Sequence, residues 1–496
     1  MDVRDPLVVR RRIGCRDQRR YMVLGNISGP DRKLVVNASD VNTLATSIME
    51  RVLFYRKGEE LLAPLTPTVD VRDSLRKFAV LVVSCYGTLP SPRTPEEFAE
   101  SYTGRRRTIY TNALEGYYDG VKKSHARITA FVKAEKVPRG KSPRCIQPRD
   151  PIYNVGVGRF LKHIEHKIFR GIARVFRQRM VVAKGYNVEE LGREVARMWG
   201  EVDDPVYIGF DASRFDFHVG VEILQWEHSV YHMLYDYHPE LVELLKMQLE
   251  VVGSGYTDDG KVKYNAKGRR MSGDMNTGLG NCLIVCAIVF SILGRGRWYR
   301  FINNGDDCGV IVPRKYISKI MRVIPDGFQA HGFRMEVEEP ISALERLVFC
   351  QMQPVEVSVG NWRMVRQPDS AREKDSMILM PFGCEGAVRK WMQVVGEGGL
   401  ALCSGVPVFQ SMYAAYVRMG LPSSMGSATF MERGAVFLAK RMESRVSVIT
   451  SCARASFWAA FDMTPDEQLV LERHYDGLVF GKLRAGEIDE VDTCPY

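Results

Sequence analysis

Apolar residues in this chain fall into short runs and stripes whose periods assign elements. Val206-Tyr207-Ile208-Gly209-Phe210 is an unbroken apolar run ending at Asp211, the pattern of a short strand. Two further runs, Trp298-Tyr299-Arg300-Phe301-Ile302 and Cys308-Gly309-Val310-Ile311-Val312, flank the triplet Gly305-Asp306-Asp307. They predict a β-hairpin with two carboxylates at its tip. Residues 276–293 are apolar enough for a buried helix, and 156–180 predict a basic amphipathic helix with Phe160, Ile164, Ile168 and Ile172 on one stripe. Helices are also predicted at about 219–235 and near 315–329, a strand at Lys261 to Tyr264, and a strand or hairpin near 347–357. Residues 41–57 and 71–85 read as helical or mixed, with Pro64, Pro67, Pro90, Pro92 and Pro95 marking loops. Beyond about residue 365 the pattern is mostly helical and reads as a separate unit. The order strand, helix, helix, hairpin, helix, strand predicts an α/β sheet layer with helices packed on one face.

The length of 496 residues suits about three domains or subdomains. A net charge of +10 suits a polyanionic partner and says nothing about fold. The eleven cysteines include no C-x-x-C pair, which argues against a zinc knuckle, and free thiols point to a reducing compartment. Cys282 and Cys286, one helical turn apart in an apolar run, read as core. The longest apolar run, Cys282 to Leu293, is too short to span a bilayer, and the N-terminus has no signal-peptide h-region. His228 and His232 lack an HExxH arrangement and read as a helix surface, and Gly396-Glu397-Gly398-Gly399 is not followed by the Gly-Lys-Ser/Thr of a P-loop. No helicase or ATPase activity is expected.

Candidate chemistry concentrates around the acids. Asp211 ends one strand and Asp306 tips a hairpin; on neighbouring strands the two could clamp a pair of Mg²⁺ ions about 4 Å apart, the arrangement that stabilises both oxygens of an in-line phosphoryl displacement. Asp307 would assist. Between them lies Ser272-Gly-Asp-Met-Asn-Thr277-Gly-Leu-Gly-Asn281, whose glycines allow close backbone approach to a nucleotide. Ser272-Gly273 also fits a plain helix cap. An Asn281 beside Asp216 could read both roles of a ribose 2′-hydroxyl. Basic clusters stand at Arg10, Arg11, Arg12, Arg16, Arg19 and Arg20, at Arg105-Arg106-Arg107, and from Lys133 to Arg149. The first fits a phosphate grip or a solvated arm equally well.

These residues resemble the palm motifs of positive-strand RNA virus RNA-dependent RNA polymerases: Asp211-x4-Asp216, Ser272-Gly-x3-Thr277-x3-Asn281 and Gly305-Asp306-Asp307, in matching order and separation. Phe131-Val-Lys-Ala-Glu-Lys136, Pro143-Arg-Cys-Ile-Gln-Pro-Arg149, Arg270-Met-Ser-Gly-Asp-Met-Asn-Thr277, Asn303-Asn-Gly-Asp-Asp307 and the stretch from Val395-Gly396-Glu397 to Gly405-Val-Pro407 are similar to the plant tombusvirus-like branch, with its carmo-, diantho- and luteovirus relatives. The resemblance covers about residues 100–425.

The resemblance implies a closed right hand. Residues 1–99 would be an N-terminal region or part of the fingers, 100–204 fingers, 205–360 an α/β palm with an inserted fingers segment at about 236–270, and 361–496 a mostly helical thumb. It implies Asp211, Asp306 and Asp307 as ligands of Mg²⁺, with Mn²⁺ able to substitute. Asp216 and Asn281 would check the ribose, and Ser272, Gly273 and Thr277 would shape the nucleotide and template position. Lys133, Lys136, Arg144 and Arg149 would meet the triphosphate, and Arg105, Arg106 and Arg107 are taken as RNA-binding. Ser101-x-x-Gly104 would guide the template, and Phe349-Cys350-Gln351 would support the primer end.

The implied activity is template-directed RNA synthesis from ribonucleoside triphosphates, begun without a primer. A reverse transcriptase-like polymerase and a non-catalytic RNA-binding replication protein are the alternatives. The implied partners are template and product RNA and a membrane-bound viral replication protein, at membrane-associated replication complexes in the host cytoplasm. The chain is expected to be the downstream part of a readthrough or frameshift product. One departure stands out: Gly332-Phe-Arg334-Met-Glu-Val-Glu338 lacks the lysine that serves many such enzymes as proton donor, which leaves Arg334, Lys315, Lys319 or water in that role.

Overall fold

The strand that ends at Asp211 is the spine of the molecule. In the computed structural model, which describes residues 7–13, 19, 21–28, 33–379, 384–422, 439 and 441–480, it runs from Pro205 to Ala212. It pairs antiparallel with Asp307–Pro313 on one side and with Met335–Val337 on the other. Arg300–Asn303 completes a four-stranded antiparallel sheet, and the expected hairpin is thus present. Arg16 and Arg20 of the N-terminal cluster lie outside the described residues.

Side chains alternate across a strand, so this apolar run serves two cores. Val206, Ile208, Phe210 and Ala212 join Val310 and Val312 under the helices Val71–Tyr86, Glu165–Phe176, Val221–Leu234, Thr277–Leu293 and Ile317–Ala330. Tyr207, Ile302 and Ile311 face the other way. They pack with helix Val188–Gly200, the strand pair Met352–Ser358/Asn361–Arg366 and helices Glu385–Cys403 and Phe409–Met419. Helices on one face is therefore half of the arrangement, and the expectation is corrected: the second face is also covered, because apolar residues occupy both parities of the strand. Gly209 and Gly309, paired directly across the ladder, keep that second face passable: a Cβ on Gly309 would run into the Tyr207 ring, and one on Gly209 into the Glu338 carboxylate.

Helix Thr277–Leu293 is buried from Leu279 to Phe290, with Cys282 and Cys286 fully enclosed as expected, and stops at Gly294. The single helix expected over 156–180 is two helices. Pro151 at the first position, behind an Asp150 side chain that accepts from the Ile152 N–H, starts one at Pro151–Leu161. A second, Glu165–Phe176, ends at Arg177 in the left-handed region. The stripe Phe160, Ile164, Ile168 and Ile172 is buried across the break. The segment 41–57 is helical to Ile48, continues as a π turn over Met49–Leu53, and gives way to a small hairpin.

A five-stranded sheet gathers three distant stretches of chain: Leu7–Arg11, the hairpin Glu250–Thr257/Gly260–Lys267, and Ile128–Val132 with Cys145–Ile146. The lone strand expected at 261–264 is part of that longer hairpin. Further along, Leu34–Val36 pairs with Lys136–Pro138, and Met22–Val23 pairs with Met377–Ile378. Beyond Arg366 helices predominate among the described residues: Pro368–Ser376, Glu385–Cys403, Phe409–Met419, Ser451–Phe461 and Pro465–Asp476. The strand pair 352–366 turns at residue 360, where the palm is expected to give way to the thumb. No described helix is long and apolar enough to cross a membrane.

Gly309→Ala is expected to lower stability by about 1–3 kcal/mol, because the buried Tyr207 ring has no room to yield. A denaturant midpoint equal to that of the parent chain would contradict the packing described.

Candidate active site

The carboxylates meet through strand register. Asp211 is the direct partner of Asp307 on one side and of Glu336 on the other. Asp306 stands in the adjoining turn, which is locked from beneath by the fully buried Asn303. The Asn303 amide donates to the Gly305 carbonyl (2.7 Å) and accepts from the Gly305 N–H (3.1 Å), while the Asn304 N–H donates to the Asp307 carbonyl (2.8 Å). Gly305 adopts φ of +100°, which favours glycine. The backbone of Asn303 is itself held by Val181 and Ala183 (both 2.8 Å).

Partial burial and repulsion from neighbouring carboxylates raise Asp307, Asp211 and Glu338. Asp307 is pushed up to about 6 by burial and by the charges of Asp306 and Asp211. Asp211 is raised by burial, Asp306 and Glu336, against the pull of Lys141. Glu338, over Gly209 on the same face, is raised by burial, Asp211 and Asp307. Among the described residues no three His, Cys, Asp or Glu side chains close into a ready metal chelate. The donor set fits a divalent cation by its chemistry: hard carboxylate oxygens, crowded by register, whose shared negative charge an oxygen-seeking ion would relieve.

Asp216 and Asn281 are joined as anticipated, Asn281 Nδ2 donating to Asp216 Oδ1 (2.9 Å). Burial pushes Asp216 up to about 6 despite the opposing influence of Asn281 and Arg270. Asn281 also abuts Gly305, which brings the pair to the carboxylate turn. The loop 271–277 is pinned to the segment 145–148. Ser272 donates to the Cys145 carbonyl (3.3 Å), Thr277 to the Met271 carbonyl (2.7 Å), and a Cβ on Gly273 would lie 2.6 Å from the Gln147 carbonyl oxygen.

The basic residues divide. Arg144 and Lys133 both pair with Glu135, and Arg144 also senses Asp306. The Lys136 ammonium donates to the Lys374 carbonyl. Arg149 is buried, paired with the equally buried Asp274 (2.5 Å) and donating to the Ala126 carbonyl. Arg149, expected to meet a triphosphate, is thus an enclosed guanidinium already matched to a carboxylate, and the pair ties the loop 271–277 to this segment. Arg105, Arg106 and Arg107 lie on the exposed helix Gly104–Asn112, which packs on Pro95–Glu100 and Pro151–Leu161. His228 is buried against Gln248 (3.1 Å), a core histidine.

Phe349-Cys350-Gln351 forms a turn beside the carboxylates: Asn304 Nδ2 approaches Cys350 Sγ (3.1 Å), and Cys350 and Gln351 both have positive φ. Lys315 follows Pro313, at the opposite end of the strand from Asp307 and roughly 20 Å away at about 3.4 Å per residue. Lys319 leans on Trp298 near that same end. Neither suits proton donation at the acids. Arg334 stacks on Tyr55 (4.8 Å) at the Asp211 end, where its carbonyl accepts from the Ser213 N–H.

Sequence reasoning passed over Glu336 and Glu338, whose spacing of two is the signal of one strand face. It also passed over Asn303, legible in Asn-Asn-Gly, and over Lys141, hidden among other cations of 133–149.

A family model described as viral RNA dependent RNA polymerase matches residues 7–480. The chain is 39% identical over 471 residues to the RNA-directed RNA polymerase of Maize chlorotic mottle virus (isolate United States/Kansas/1987), covering 93% of this chain and 48% of that one. It is 36% identical over 466 residues to that of Tobacco necrosis virus (strain A), covering 92% and 63%, and 38% identical over 456 residues to that of Turnip crinkle virus, covering 89% and 58%. The chain thus spans about half to three fifths of the length of these relatives.

Arg149→Ala is expected to cost about 3–5 kcal/mol of stability, because it leaves Asp274 buried and unpaired. Chemical denaturation checks this; unchanged stability with a selective loss of nucleotide affinity would contradict the anchoring role and favour contact with the triphosphate.

Proposed function

The chain belongs to the viral RNA-dependent RNA polymerase family, and we propose that it copies RNA into RNA from ribonucleoside triphosphates. The observation that carries this reading is the register pairing of Asp211 with Asp307, with Asp306 in the adjoining turn and the Asp216–Asn281 pair close by. Asp211, Asp306 and Asp307 would hold divalent cations, Mg²⁺ with Mn²⁺ able to substitute. Such ions, when bound, supply charge neutralisation and acidify a 3′-hydroxyl.

The protein's own groups do the rest. Asp216 and Asn281 present an acceptor and a donor to a ribose 2′-hydroxyl, which separates ribonucleotides from deoxyribonucleotides. Lys141 and Arg144, whose charges reach Asp211 and Asp306, would meet the phosphate oxygens of an incoming triphosphate. Ser272, Gly273 and Thr277 form the turn against which base and template would rest. The four-stranded sheet with its helices would be the palm, the five-stranded sheet the fingers, and the helices after residue 366 the thumb. The setting is the host cytoplasm, at membrane-associated replication complexes reached through a membrane-bound viral replication protein.

Asp306→Asn is expected to reduce template-directed synthesis by ~10²-fold or more while RNA affinity is retained. Substantial residual synthesis in a nucleotide-incorporation assay would contradict the metal role. A raised Asp307 keeps protons at a higher pH than an ordinary carboxylate, so protons compete with cations sooner as pH falls. Calorimetric Mg²⁺ affinity should weaken several-fold between about pH 7.5 and about pH 6; an affinity flat across that range would show that Asp307 takes no part.

A further inference from the structure

Behind the Asp216–Asn281 pair runs a chain of enclosed polar contacts that the scheme above does not use. Arg270 Nε donates to Asn281 Oδ1 (3.1 Å), and its Nη2 pairs with Glu227, both side chains having no exposed surface. Glu227 is held in turn by the Tyr231 hydroxyl (2.7 Å) and by Asn276 Nδ2 (2.8 Å). Room for the ion pair comes from Gly280, where a Cβ would collide with both the Glu227 carboxylate and the Arg270 guanidinium.

This arrangement decides which end of the Asn281 amide points where. A carboxamide has a donor end and an acceptor end of nearly equal size, and a half-turn exchanges them. A guanidinium can only donate and an ionised carboxylate can only accept. With Arg270 on one side and Asp216 on the other, the Asn281 oxygen must face Arg270 and its nitrogen must face Asp216. The second Nδ2–H and the other Asp216 oxygen then form a donor–acceptor pair matched to a hydroxyl that both accepts and donates. The reverse orientation would set donor against donor and acceptor against acceptor.

We infer that Arg270, anchored by Glu227, is a positioning residue that orients the Asn281 amide and thereby sets discrimination between ribose and deoxyribose. The inference rests on the ribose-checking role given above to Asp216 and Asn281. Lysine cannot replace the arginine, because one ammonium on a flexible stem does not hold the fork that reaches Glu227 and Asn281 together.

The test measures kcat and KM of the full chain on an RNA template with ribo- and deoxyribonucleoside triphosphates. Arg270→Lys should lower the ribo-to-deoxyribo ratio of kcat/KM by about tenfold or more, chiefly through a higher KM for the ribonucleotide, as expected when a hydrogen bond to a charged group is lost. Glu227→Gln, which keeps shape and an acceptor, should shift the ratio in the same direction by less, and it carries the test should Arg270→Lys fail to fold. In an Asn281→Ala background, where the ratio has already fallen, neither change should lower it further. Equal losses with both sugars, or a further fall in the Asn281→Ala background, overturns the inference alone. An unchanged ratio in Asn281→Ala itself overturns the ribose reading and the inference with it.

Discussion

Two like-charged carboxylates are held opposite each other because the strands that bear them have no other way to pair. Asp211 and Asp307 are the last direct partners of a ladder whose other rungs include Phe210 with Cys308, Ile208 with Val310 and Val206 with Val312. Those apolar side chains are buried, and slipping the ladder by one residue would turn them all to the wrong face. Burial of this sheet opposes the repulsion at its end, and Glu336, paired to Asp211 from the third strand, adds to the same row of charge. The site's chemistry is in this sense a by-product of packing far from it.

The glycine-rich loop and the basic segment act as one body. Arg149 with Asp274, Ser272 with the Cys145 carbonyl, and the close approach of Gly273 to Gln147 and Pro148 tie residues 271–277 to residues 145–149. With Arg149 spent inward, the exposed part of that segment carries Lys141 and Arg144, whose charges are felt at Asp211 and Asp306. One cation of the run thus serves as an anchor while others stay on its exposed part.

Much of this was legible in order and type. The apolar run before Asp211, the hairpin around Gly305-Asp306-Asp307 and the buried helix after Asn276 stand where periodicity put them, because each is decided by local pattern. What escaped was decided by long-range pairing. Nothing near Glu336 announces that it faces Asp211, nor near Arg149 that Asp274 lies against it, and these pairs are separated by more than 120 residues. The helix 156–180 failed for a different reason: the apolar stripe is continuous, but the Asp150-Pro151 start and the left-handed Arg177 obey backbone rules that a stripe does not record. The second covered face of the central sheet was missed because an unbroken apolar run gives no sign of how many layers it touches.

The short ladder between Met22–Val23 and Met377–Ile378 has a consequence for how the molecule comes into being. Residues 22–23 are synthesised before their partner strand, which follows more than 350 residues afterwards. Until then the clusters that enclose Tyr21, Val23 and Leu24 lack Met377 and Ile378. Loop closure of that length is slow relative to local helix formation. That segment is therefore set late, and the wait leaves an apolar stretch open to chaperones or to wrong partners while translation proceeds.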